Sequence, residues 1–129
     1  MARINVSGNS PWEPRVGYSR AVRIGPHVWI SGTTATDDAG SLVGAGDAAA
    51  QARRALENIQ RALEAAGASL GHVVRTRMYV TDVGDTEAIA AVHAEFFGSI
   101  RPAATLVEVR KLVAPEMLVE IEAEAYIEG

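Results

Sequence analysis

Val119-Glu120-Ile121-Glu122-Ala123-Glu124-Ala125 alternates a small or branched apolar residue with glutamate at every step, and it follows the block Arg101-Pro102-Ala103-Ala104-Thr105-Leu106-Val107-Glu108-Val109. Successive strand side chains point to opposite faces. A strand here places Ile121, Ala123 and Ala125 in a core and lines up Glu120, Glu122 and Glu124 on the other face. Carboxylates in a row are explained either by solvent and cross-strand cations, the reading taken for Glu122 and Glu124, or by a pocket in which one of them moves protons. Glu120 is the candidate for the second role.

Working outward, the chain alternates strand and helix patterns. Tyr18 to Ile24 and Val28 to Ser31, joined by Gly25-Pro26-His27, read as a hairpin. Asp37-Asp38-Ala39-Gly40-Ser41 reads as a turn, and Asp47 as the N-cap of a helix. From Ala48 to Ala66 the apolar residues Ala52, Leu56, Ile59 and Leu63 recur at helical spacing, and Gly67 ends the helix. Val73 to Thr81 is a strand with Val74, Thr76, Met78 and Val80 on one side and Arg75, Arg77 and Tyr79 on the other. A second helix is expected from the cap Asp85 through Ile89, Val92 and Phe96 to Gly98, with His93 beside its apolar stripe as a satisfied rather than catalytic histidine. Strands near Ala104 to Val109 and Leu118 to Ile127, and a short one at Arg3 to Val6, complete the set. This order predicts a single α+β domain over residues 1–129, with a mixed sheet and two helices on one face. The other face carries Tyr18, Trp29, Ser31, Thr105 and Val107, and its apolar parts are expected to be buried by self-association.

Composition narrows the chemistry. The 129 residues, 48% of them hydrophobic, suffice for one core. With no cysteine, disulfides and thiol chemistry are absent, and His27, His72 and His93 have no helical metal-ligand spacing, so no metal is expected. A formal net charge of -4 argues against a nucleic-acid partner. No long apolar run is present, so a membrane is not expected and a cytoplasmic location is. The glycines at 40, 44 and 46 fit neither phosphate-binding fingerprint, and no Gly-x-Ser-x-Gly elbow occurs.

Several short strings in order carry a resemblance: Gly17-Tyr18, Ile30-Ser31-Gly32, the helix from Gln51 to Ile59, Glu64-Ala65-Ala66-Gly67, Val80-Thr81-Asp82, Phe96-Phe97, Arg101-Pro102-Ala103, Val107-Glu108-Val109 and Val119-Glu120-Ile121-Glu122-Ala123. Together they cover nearly the whole chain, which resembles the reactive intermediate deaminase family, RidA, also called YjgF or endoribonuclease L-PSP. The resemblance implies a chorismate-mutase-like α+β fold with a six-stranded sheet, assembled as a homotrimer with small-molecule clefts between subunits. It also implies hydrolysis of enamines and imines to a 2-oxo acid and ammonia, with no metal or cofactor. Carried over by position, Tyr18, Ser31 and Thr105 match pocket residues, and Glu120 matches the glutamate that positions or activates water.

One departure bears on the substrate. Family deaminases read Pro-Ala-Arg before the Ser or Thr, the Arg clamping a substrate carboxylate, whereas this chain reads Pro102-Ala103-Ala104-Thr105. Ordinary 2-imino-acid deamination is therefore not expected. Arg101, at an odd offset from position 104, is a poor replacement, and Arg20, two residues after Tyr18, is the alternative anchor. Ser10-Pro11-Trp12-Glu13-Pro14 also departs from the best-known deaminases, and Trp12 is expected to pack on a neighbouring subunit. The leading expectation is a small-molecule cleft with hydrolytic chemistry on an imine-like or other electrophilic carbon. The alternative is a non-catalytic metabolite-binding or regulatory protein, and a ribonuclease activity ranks last.

Overall fold

The computed structural model describes residues 1–128. Six strands form one sheet: β1 (Arg3–Val6), β2 (Ala21–Ile24), β3 (His27–Thr33), β4 (Val73–Val80), β5 (Ala103–Glu108) and β6 (Val119–Tyr126). Two helices, α1 (Ala48–Ala65) and α2 (Thr86–Phe97), cover one face. The spatial order is β1-β2-β3-β6-β4-β5, with β4 and β5 parallel and the other neighbours antiparallel. The glutamate-rich strand thus lies inside the sheet, between β3 and β4.

Local chemistry explains most of the elements. The hairpin turn is only Gly25-Pro26, because His27 already pairs with Ile24; Gly25 has φ +58°, a conformation glycine adopts without steric cost. Asp47 caps α1, its side chain accepting from the Ala50 amide at 3.0 Å. Ala52, Leu56, Ile59 and Leu63 are all fully buried, as the helical spacing requires, and the helix ends before Gly67, which has φ +84°. Alanines of α1 pack close to β6, whose Ile121, Ala123 and Ala125 are also buried. Full burial of one large aliphatic side chain is worth about 1.5–3 kcal/mol, so this stripe is a main source of stability.

Three sequence expectations are corrected. Val74 does not share the core face: the β4/β6 register shifts between Val73 and Arg75, leaving Val73 buried and Val74 half exposed. An extra residue in one strand reverses which neighbour points inward. Asp85 makes no side-chain cap; Asp82, accepting from the Gly84 amide, instead closes a short 3-10 turn that runs into α2. Phe97 is the buried aromatic of α2, while Phe96 packs at the core margin. His93 is satisfied as expected, its Nε2 2.9 Å from Thr76 Oγ1 and its ring against Phe97.

Gln51, on α1, is fully buried and holds the β5–β6 connection in place. Its amide donates to the carbonyls of Gly44 and Glu116, and its carbonyl accepts from the Leu118 amide at 2.8 Å. The Val109 amide bonded to the Val80 carbonyl fixes the other end of that connection. Gln51→Leu keeps the volume but strands the Leu118 amide. Urea unfolding is expected to show a loss of about 1–3 kcal/mol, and an unchanged midpoint would mean that the clamp contributes nothing.

Candidate functional site

Residues 120, 122 and 124 of β6 face away from the helices, beside Arg77 and Tyr79 of β4. In backbone register Tyr79 is opposite Glu120 and Arg77 opposite Glu122. Their side chains bond one step along the diagonal instead: Arg77 Nη1 lies 2.9 Å from Glu124 Oε1, and the Tyr79 hydroxyl donates to Glu122. Diagonal neighbours on a sheet face lie within reach of long side chains. The pairing expected for Glu122 and Glu124 is present, with a phenol rather than a cation serving Glu122. The stagger uses up both β4 partners and leaves Glu120 without a hydrogen bond among the described residues.

The space for Glu120 comes from Gly32. A Cβ there would collide with the Glu120 carboxylate, so glycine lets that carboxylate lie against β3 where the β3/β6 register is irregular. Burial raises the Glu120 pKa above the ordinary 4.5; the charge of Arg20 opposes the rise and that of Glu122 adds to it. Arg20 donates to the Gly32 carbonyl, its guanidinium carbon lies 5.8 Å from the Tyr18 ring centroid, and its Nε is buried without an acceptor among the described residues. The expected strand from Tyr18 begins only at Ala21, so strand alternation does not relate Tyr18 to Arg20, although the two side chains lie close together.

Glu120 opens into a groove of about 340 Å³ lined by Gly32, Tyr79, Val109, Lys111, Leu112 and Glu122 beside it. Of the other residues singled out in the sequence, Ser31 precedes Gly32 on β3 but does not line the groove, and its hydroxyl donates to the Ser19 carbonyl at 2.6 Å. Tyr18 follows a five-residue π-helical turn, Glu13–Gly17, and lines a different groove of about 650 Å³ near the N-terminus. Thr105 is exposed on the edge strand β5, in register with Arg77. Ala104 pairs with the buried Thr76 on the helix side. A single chain therefore brings the charge of Arg20 close to Glu120, but puts none of Tyr18, Ser31 and Thr105 in the lining of its groove. Trp12 is half exposed, with the Arg15 guanidinium 4.9 Å from its ring centroid.

Sequence reasoning missed Gly32, Tyr79 and Lys111 as groove residues. The signals were present: a glycine inside a strand marks close approach, and Lys111 is the one lysine of the chain. Among the described residues no cluster of three or more His, Cys, Asp or Glu could hold a metal ion, and no helix is long and apolar enough to cross a membrane.

A six-stranded mixed sheet with both helices on one face and a carboxylate-lined groove on the other defines a chorismate-mutase-like α+β protein. The sequence model of the family described as endoribonuclease L-PSP matches residues 7–127. A RutC family protein of Pyrococcus horikoshii is 38% identical over 99% of this chain and 100% of its own length. The 3-aminoacrylate deaminase RutC of Acinetobacter baylyi is 39% identical over 88% of this chain and 90% of its own. The crystal structure of a YjgF/YER057c/UK114 family member from Mycobacterium tuberculosis superposes with a TM-score of 0.89 at 52% identity, covering 98% of this chain and 100% of that one. The chain belongs to the endoribonuclease L-PSP family, the RidA/YjgF proteins.

The sign of the Glu120 shift gives a stability prediction. A carboxyl whose folded pKa lies above its unfolded value binds protons more tightly when folded, so that stabilisation is present in acid and is lost as the pH rises through the folded pKa. Ionised Glu120 costs stability at neutral pH. Glu120→Gln is expected to raise the thermal midpoint by a few degrees near neutrality, the gain shrinking as the pH falls through the raised folded pKa and gone below about pH 4.5. A midpoint lowered at neutral pH would show that Arg20 more than offsets the burial.

Proposed function

We propose that the groove beside Glu120 is one part of a cleft completed by a neighbouring subunit of a homotrimer, and that it binds a small electrophilic metabolite which Glu120 helps to hydrolyse. The observation that carries this reading is the unpaired carboxylate itself: half-buried, raised in pKa and facing an open groove, while its two neighbours on the strand are bonded. The assembly is supported by the exposed face, where Trp29, Val107 and Tyr126 remain over 40% accessible. In such a trimer Thr105, on the exposed edge strand, and Tyr18 would reach the groove from another copy or from its rim.

The chemistry follows from a carboxylate poised to take and return one proton. Water held against Glu120 adds to the carbon of a protonated imine, its proton passing to Glu120 as the C–O bond forms. Glu120 then returns that proton to the nitrogen of the carbinolamine, the C–N bond breaks as the remaining hydroxyl proton passes by way of Glu120 to the departing ammonia, and the products are a carbonyl compound and ammonium. An enamine enters the same path after protonation on carbon. The relative named 3-aminoacrylate deaminase supports this reaction class. Ala104, where family deaminases carry the carboxylate-clamping Arg, supports the second reading, a cleft that binds a metabolite without turning it over.

A coupled assay decides between them, with imines of amino acids generated in place by an amino-acid oxidase and with wild type beside Glu120→Ala and Ala104→Arg. Hydrolysis by the wild type that falls about 10²-fold or more in Glu120→Ala is the expected result. Turnover undiminished in Glu120→Ala would remove the proton-handling role. Activity gained only in Ala104→Arg would mean an intact scaffold whose native ligand lacks the clamped carboxylate. Saturable binding with no turnover in any variant would leave the binding role.

A further inference from the structure

The groove has charge on both sides. Glu120 and Glu122 line one wall, and Lys111 with Leu112 lines the other. Glu122 keeps its charge but is already bonded to the Tyr79 hydroxyl, so the charged groups of the groove with no side-chain partner are the Glu120 carboxylate and the Lys111 ammonium. Among the described residues Lys111 has no carboxylate within ion-pair distance and no hydrogen-bond partner. It is the only cation that lines the groove.

Lys111 is also held in place. It lies two residues after Val109, whose amide is bonded to the Val80 carbonyl at 2.7 Å. At the far end of the same connection, the buried Gln51 binds Glu116 and Leu118. The connection therefore presents Lys111 over the groove from two fixed points, although it contains no helix or strand.

We infer that Lys111 is the groove's anion anchor and that the ligand is a small dipolar molecule, its acid group on the Lys111 ammonium and its electron-poor carbon or protonated nitrogen over Glu120. This rests on the Glu120 reading above and supplies the substrate class that the loss of the Arg clamp left open. An isolated anion is repelled by the carboxylate wall, and an isolated cation gains nothing from Lys111. A molecule carrying both an acid group and a polarised C=N or C=O satisfies each wall at once. An ammonium is a mobile point charge rather than a planar fork, so it holds an acid group without fixing its plane. The site thereby accepts acid groups in more orientations than a bidentate Arg does.

Pyruvate tests this as a stable probe with an acid group and an electrophilic carbon, and pyruvamide is the same molecule without the charge. Binding to the intact protein is followed by amide chemical shifts in wild type, Lys111→Met, Lys111→Arg and Glu120→Gln. Lys111 is exposed, and Met keeps the length of its apolar stem, so the fold is expected to survive. Pyruvate affinity should fall about tenfold in Lys111→Met, the scale of one lost charge-assisted contact, and recover in Lys111→Arg, while pyruvamide binding stays equal in all three. The wild-type preference for pyruvate should also weaken with added salt.

Pyruvate affinity unchanged in Lys111→Met, with shifts still centred on Gly32 and Glu120, would overturn the anchor and leave the groove reading standing. Shifts centred elsewhere would overturn both. Lys111-dependent binding together with imine hydrolysis that ignores Glu120→Gln would sustain the anchor and remove only the catalytic role of Glu120.

Discussion

The diagonal offset between the side chains of β4 and β6 is the constraint from which the site follows. Backbone register alone gives each of Glu120 and Glu122 a partner on β4. Because Arg77 reaches Glu124 and Tyr79 reaches Glu122, the ladder runs out one residue before Glu120. The Arg77 pair is more than a third exposed on both sides, so its worth is about 0.2–1 kcal/mol and stability is a weak reason for it. Its larger effect is selective: Arg77 neutralises Glu124 and the Tyr79 hydroxyl occupies Glu122, the two carboxylates that would otherwise compete with Glu120 for a ligand or proton.

A single unpaired carboxylate becomes chemically useful only if it is partly dry and held still. Gly32 supplies the dryness by letting β3 come against the Glu120 carboxylate, and Arg20 supplies a moderating positive charge from behind, anchored on the Gly32 carbonyl. Stillness comes from position, because β6 is the strand enclosed by β3 and β4 and its other face is packed under α1. The opposing wall of the groove is an irregular connection, yet it is fastened at both ends by buried hydrogen bonds. Irregular backbone carried on a fixed scaffold is a common way to place binding groups.

Much of this was legible in the sequence, and the exceptions share a cause. Both helices, the hairpin and the alternating strand were readable because each rests on a local period: Ala52, Leu56, Ile59 and Leu63 for α1, and the Glu/apolar alternation for β6. The inward neighbour of β4 was not readable, since the bulge near Val74 depends on pairing with a strand some fifty residues away. Gln51 looked like one polar position of an amphipathic helix, but its partners Glu116 and Leu118 come from the other end of the chain. Glu120 was singled out from a strand of three glutamates largely through the family motif. The physical reason for choosing it, a side-chain ladder that ends one residue short, exists only once β4 and β6 are side by side. Tyr18 and Thr105 were named from the same motif, and the single chain leaves them outside the Glu120 groove. Lys111 is marked in the sequence only by being the one lysine of the chain, since a loop residue has no periodicity to place it beside Glu120.

Glu120 differs from an ordinary surface glutamate because the fold leaves its side chain unpaired and half-buried. Titrating the intact protein with carbon-13 label on its glutamate carboxyls, and assigning the Glu120 resonance by its loss in Glu120→Gln, measures this directly. The expected result is a midpoint above the ordinary value of 4.5 and a further rise when Arg20 is replaced by Gln, since the Arg20 charge is what holds the shift down. A Glu120 midpoint at or below 4.5 would contradict it, for the carboxylate would then be solvated or paired like its neighbours.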